Sequence, residues 1–194
     1  MYDETLRLVE LENNLRLALQ RDELMMYYQP IISLDSNSLI GFEALVRWKH
    51  PQRGFISPTE FIPIAEDTGL ILDIGEWILK EACEQLQKWR EQFSRLPLIR
   101  SIKMSINLAS QQLQQPNFIK KLDRILLETG LSGRFLKLEI TESALIDPEG
   151  NIQNTLRQIR NRNIKLSIDD FGTGYSSLSY LRRFPIDTLK IDRS

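Results

Sequence analysis

The chain has 194 residues, with 25 Lys and Arg against 26 Asp and Glu, one His and one Cys. A formal net charge of −1 excludes a generic DNA or RNA binder, and 42% hydrophobic with 26% charged residues excludes a disordered tail. One cysteine, Cys83, cannot form an internal disulfide or a Cys-rich metal site, and one histidine, His50, argues against a His-based zinc site or a Ser-His-Asp triad. In chain order, residues 4–22 read as a helix, with Leu8, Leu11, Leu15 and Ala18 at three- and four-residue steps. That stripe suits docking on the domain behind it or on a partner helix. Leu24–Leu34 reads as a strand, with a turn at Asn37. Ile40–Trp48 reads as a second, with Phe42, Ala44, Val46 and Trp48 on one face and Glu43, Leu45 and Arg47 on the other. The short connection makes the pair antiparallel.

His50-Pro51-Gln52-Arg53-Gly54 reads as a loop, with His50 a surface or loop residue. Ser57–Asp67 reads as a helix capped by Ser57 with Pro58 at its first position. Ile74–Phe93 reads as a helix burying Ile74, Trp77, Ile78, Ala82, Leu86, Trp89 and Phe93, with Cys83 packed nearby. Strands then alternate with helices. Strands are expected at Ser101–Asn107, Arg134–Thr141, Ile164–Asp169 and Asp187–Asp192, and helices at Asn117–Thr129, stopped by Gly130, and Ile152–Arg160. Phe171–Tyr175 reads as a flexible loop rather than a phosphate loop, and Leu178–Arg182 as a short helical turn. The beat predicts an α/β fold with a parallel sheet. No stretch reaches the roughly 18 apolar residues of a membrane span, and the acidic start lacks a signal-peptide pattern. The expected setting is cytoplasmic, compatible with a membrane-tethered parent protein.

The chemistry is carried by the second face of these strands. Ile102, Met104 and Ile106 alternate with Lys103, Ser105 and Asn107; Leu136, Leu138 and Ile140 with Lys137, Glu139 and Thr141; Leu166 and Ile168 with Lys165, Ser167 and Asp169; and Leu189 and Ile191 with Lys190 and Asp192. Ordinary parallel sheets are apolar on both faces. Charges collected at strand C-terminal ends mark instead the rim of a β/α barrel with an acid-lined mouth. Glu43, Glu139, Asp169 and Asp170 with the amide Asn107 form an oxygen set suited to hard cations such as Mg²⁺ or Mn²⁺. Adjacent acids at Asp169-Asp170 can reach two ions. The alternative is ion pairing with Lys103, Lys137, Lys165 and Lys190 inside the barrel.

Glu43-Ala44-Leu45, set in FEALVRW, is accompanied in order by YYQPII (27–32), SPTEFIPIAEDTGLI (57–71), SINLAS (105–110), LEITES (138–143), DDFGTGYSSLSYL (169–181) and LKIDRS (189–194). These segments resemble the EAL family of cyclic-di-GMP phosphodiesterases. The resemblance implies a modified TIM-like (β/α) barrel with an antiparallel first strand pair. It implies hydrolysis of cyclic di-GMP to linear pGpG at a site of two Mg²⁺ or Mn²⁺ ions, in bacterial second-messenger signalling. By residue matching, Glu43, Asn107, Glu139 and Asp169 resemble ligands of one ion, and Asp169 and Asp170 ligands of the second. Lys190 matches the lysine near the attacking water; Gln29, Leu45 and Arg47 match substrate contacts; Glu142 matches the residue that steadies the loop after Asp169. Tyr27 and Tyr28 read as strand packing, with the alternative that an aromatic at the mouth stacks on guanine.

A full barrel needs about 250 residues, and the family's later glutamate and glutamine segments have no counterpart here. The expected organisation is a linker helix over 1–22 and a partial EAL domain over 23–194, lacking the last two strands and weakly active or inactive alone. Homodimerisation and upstream GGDEF or sensory domains are the expected partners, with no nucleic-acid polymer. The competing reading is an inactive cyclic-di-GMP receptor or regulatory domain; the presence of all five matched ligands favours the enzyme.

Overall fold

A computed structural model describes residues 2–145, 151–172 and 181–191. The expectations for Thr173–Tyr175, for the turn from Leu178 and for Asp192 lie outside the described residues.

Helix α1 (Tyr2–Ala18) leads into strands β1 (Leu24–Ser33) and β2 (Ser38–His50). A short strand β3 (Gly54–Ile56) follows, then helices α2 (Pro58–Asp67) and α3 (Ile71–Gln92). The remaining elements are β4 (Lys103–Asn107), α4 (Ser110–Leu113), α5 (Phe118–Thr129), β5 (Leu136–Thr141), α6 (Asn151–Arg160), β6 (Lys165–Phe171) and β7 (Thr188–Ile191). The strands form one mixed sheet in the order β1-β2-β4-β5-β6-β7, with β3 paired to β2. β1–β2 and β2–β3 are antiparallel, and β2, β4, β5, β6 and β7 run parallel. This is the expected α/β arrangement with an antiparallel first pair.

Local chemistry places the helices. The Ser57 hydroxyl accepts the Thr59 N–H at 3.3 Å, with Pro58 in the first turn of α2. Gly130 ends α5 at φ +67°, a conformation that costs a side chain but not glycine. α3 buries Ile71, Ile74, Ile78, Leu79, Ala82, Cys83 and Leu86 against the sheet. The apolar strand residues Met104, Ile106, Leu136, Leu138, Ile140, Leu166 and Ile168 face the helices and are fully buried. α1 docks on the domain through Leu11, Leu15 and Ala18.

Four expectations are corrected. Leu8 is half exposed; among the described side chains of α1 the buried stripe is Leu11, Leu15 and Ala18. Phe93 falls just after α3 and is exposed, and Trp77 and Trp89 lie at the edge of the core rather than inside it. His50 is neither a surface nor a loop residue: it closes β2 and is buried. Its ring meets Trp48 edge-on, and its Nδ1 accepts the backbone N–H groups of Gln52 and Arg53, each at 3.2 Å. The loop read over 50–54 is thus a tight turn into β3, pinned by that imidazole.

Gly41 pairs with Lys103 just below the rim, and a Cβ there would stand 2.6 Å from the Lys103 carbonyl oxygen. Gly41→Ala is expected to lower unfolding stability by about 1–3 kcal/mol; an unchanged denaturant midpoint would refute the close approach. Burial, with Glu84 adding, pushes the Cys83 thiol up to about 12. A thiol reagent at pH 8 is expected to leave native Cys83 unmodified and to label it once the chain is unfolded; fast native labelling would refute that.

Candidate metal and substrate site

Strand register places the polar residues on one face near the C-terminal ends of the parallel strands, with Asn107 two residues beyond the level of Glu43 and Asp169 two beyond the level of Glu139. Glu43 pairs with Gln29 on one side and Ser105 on the other; Asn107 pairs with Glu139, Glu139 with Ser167, and Thr141 with Asp169. Carboxylate oxygens of Glu43, Glu139 and Asp169 lie within 4.8 Å of one another, so the three can hold a metal ion.

The ammonium of Lys190 sits among them. It donates to Glu139 Oε2 at 2.5 Å, Asp169 Oδ2 at 2.9 Å and Glu43 Oε2 at 3.3 Å. An ammonium has three donors, and each carboxylate takes one. Burial by itself lowers the Lys190 pKa; the hydrogen bonds to Glu139 and Asp169, with the Glu139 and Glu43 charges, outweigh it and hold the group above the ordinary lysine range. Lys137 Nζ stands 3.1 Å from Glu139 Oε1 as an ion pair. The alignment is not that of a hydrogen bond, so Oε1 is a buried oxygen with no hydrogen-bond donor among the described residues. An oxygen in that condition fits a cation ligand. The ion-pair alternative is therefore also visible: Lys190 and Lys137 engage the acids, while Lys165 pairs with Asp187 away from them.

Asn107 Nδ2 donates to Glu43 Oε1 at 2.9 Å, which orients that carboxylate. Asp170 adjoins the cluster through its backbone, its N–H donating to Asp169 Oδ1 at 3.0 Å. The register between β6 and β7 shifts between Ile168 and Phe171, where β6 has one residue more than β7, and Asp170 has φ +53°. This bulge breaks the strict alternation at the Asp-Asp pair. Buried Glu142 accepts the Gly172 N–H at 3.2 Å and so holds the segment after the bulge.

A cavity of about 450 Å³ opens beside the acids, lined by Leu45, Arg47, Glu66, Asn107, Glu139 and Thr141 among others. Arg47 donates to the Val46 carbonyl at 2.8 Å. Gln29 shares the register level of Glu43 but does not line the cavity. Sequence reasoning passed over Glu66, whose carboxyl is raised by burial and by the nearby Asp67 charge; its position in a helical pattern carried no signal of a cavity. Thr141 and Ser143, whose hydroxyls are 3.0 Å apart at the rim, were also unmarked.

The EAL domain family matches residues 12–194. The chain belongs to the EAL domain family. The bifunctional diguanylate cyclase/cyclic di-GMP phosphodiesterase MucR of Pseudomonas aeruginosa is 42% identical over 186 residues, covering 95% of this chain and 26% of that protein. An uncharacterised Synechocystis protein is 45% identical over 194 residues, all of this chain and 27% of its own length. The chain thus spans about a quarter of these relatives. Among solved EAL structures, the PaMucR phosphodiesterase in its c-di-GMP complex superposes with a TM-score of 0.87 at 41% identity, covering 95% of this chain and 72% of that one. The EAL enzyme Bd1971, bound to cAMP and cyclic-di-GMP, gives 0.90 at 36% identity, covering 98% and 51%. EAL domains have a TIM-like barrel fold, and this sheet is the corresponding part of it.

Lys190→Met removes the ammonium and leaves the three carboxylates facing one another. In EDTA the melting temperature is expected to fall by roughly 5 °C, and added Mg²⁺ or Mn²⁺ to restore more of it than in the wild type. An unchanged melting temperature in EDTA would show that Lys190 does not balance these charges.

Proposed function

We propose that this EAL domain, within its intact protein, hydrolyses cyclic di-GMP to linear pGpG with two bound Mg²⁺ or Mn²⁺ ions. The observation that carries this reading is the convergence of Glu43, Glu139 and Asp169 on one point beside a cavity large enough for a nucleotide. The named function of the phosphodiesterase relatives supports it.

Glu43, Asn107, Glu139 and Asp169 would hold the first ion, and Asp169 and Asp170 the second. Bound divalent cations supply charge neutralisation at the phosphodiester and lower the pKa of a coordinated water. Asn107 keeps the Glu43 carboxylate turned to the site. Lys190, already within hydrogen-bond reach of three of these acids, orients the attacking water and offsets charge developing on phosphorus oxygens. Arg47 suits a substrate phosphate through its planar fork, and Gln29 and Leu45 border the dinucleotide. Glu142, through Gly172, holds the segment that carries the two aspartates. Water adds to phosphorus, the P–O3′ bond breaks, and the departing 3′ oxygen takes up a proton.

No helix among the described residues is long and apolar enough to cross a membrane. The cytoplasm is the proposed setting. Homodimerisation and neighbouring GGDEF or sensory domains belong to the same proposal.

The test is a turnover assay with cyclic di-GMP and Mg²⁺ or Mn²⁺, scored for pGpG. EDTA should abolish product, and Glu43→Ala should reduce it by about a hundredfold or more. Binding of cyclic di-GMP without any product, in the intact protein, would replace the enzyme with a receptor.

A further inference from the structure

β1 and β2 carry two sets of aromatics. On the helix side, Tyr28 and Phe42 pack on Trp89, with ring centres 5.0 and 4.8 Å apart. On the site side, Tyr27 and Phe55 meet edge-on at 6.2 Å, yet Tyr27 is 49% and Phe55 57% exposed. Their open faces leave aromatic surface available to a ligand.

Register puts this pair next to the proposed substrate phosphate site. Tyr27 pairs with Leu45 and Phe55 with Lys49, while Gln29 pairs with Glu43. Tyr27 therefore lies on the Glu43 face, two residues further up β1 from Gln29, about 7 Å at the rise of a strand. The Arg47 guanidinium bridges the two regions: it lies 5.6 Å from the Tyr27 ring centre and also lines the cavity. A phosphate held near Arg47 and the acids places its nucleoside's base one ribose away, at the level of the exposed rings.

We propose that Tyr27 and Phe55 form an aromatic shelf that stacks a purine base of the substrate, with Arg47 joining the shelf to the phosphate site. This rests on the reading of the site as one for cyclic di-GMP, and adds the element that holds a base. Flat apolar rings beside a cation suit a nucleobase attached to a phosphate better than they suit an aliphatic ligand. The shelf makes Tyr27 a specificity residue: it binds the base, while the acids and Lys190 act at phosphorus.

The experiment is equilibrium binding of cyclic di-GMP to the intact protein by calorimetry, in EDTA so that turnover does not compete. Tyr27→Ala should raise Kd roughly tenfold, within the range for loss of one base–aromatic stack. Phe55→Ala should raise it by a smaller factor. Tyr27→Phe, which keeps the ring and drops the hydroxyl, should stay within about twofold of wild type. Wild-type binding with both alanine variants unchanged overturns the shelf and leaves the proposed function standing. Equal weakening by Tyr27→Phe and Tyr27→Ala also overturns it, because the hydroxyl would then carry the contact. A wild-type intact protein that does not bind cyclic di-GMP overturns the shelf together with the functional reading beneath it.

Discussion

The upper end of this sheet depends on mutual neutralisation of charges that none of its strands can hold alone. Glu139 is 1% exposed and sits in the middle of a parallel sheet. An isolated carboxylate there would be costly. Lys190, 51 residues later, and Lys137, on the same strand, supply the opposing charge at 2.5 and 3.1 Å. Lys190 also reaches Glu43 across 147 residues of sequence. Four strands, β2, β5, β6 and β7, meet in a single electrostatic cluster of three acids and one ammonium. With Lys137 the local balance is one negative charge, an environment that attracts cations.

That cluster explains the sheet's departures from regularity. A regular β6 would place Asp169 and Asp170 on opposite faces. The register shift against β7 and the left-handed Asp170 backbone give the Asp-Asp pair its own geometry while Lys190 stays bonded to Asp169. Glu142 then holds Gly172 by its N–H, so the bulge is supported on its far side by a buried acid from another connection. Gly41 serves the same end lower down, letting β2 approach β4 closely enough for Glu43 and Asn107 to share a hydrogen bond.

The helices do a different job. Their apolar faces cover the outer side of the strands and leave the inner, polar side to the site. α3 supplies most of this cover, and its single cysteine is part of it: buried and raised in pKa, Cys83 is packing material rather than a nucleophile. α1 adds Leu11, Leu15 and Ala18 to the same core. The family match starts at residue 12, inside this helix.

Much of this was legible in the sequence, because short-range periodicity is written locally. Alternation of Ile102, Met104 and Ile106 with Lys103, Ser105 and Asn107 marks a strand with two unlike faces wherever it lies. Ser57-Pro58 starts a helix and Gly130 ends one by backbone chemistry that needs no neighbour. The candidate acids were visible for the same reason, each at the polar end of such a strand. Tertiary structure alone decided their partners. It placed Lys190 in the middle of the acids rather than beside them, buried His50 as the pin of a turn into β3, put a bulge at Asp169-Asp170, and brought Tyr27 and Phe55 together beside Arg47. These are contacts between strands distant in sequence, set by register and by the need to pair buried charge, and no local pattern of residues encodes them.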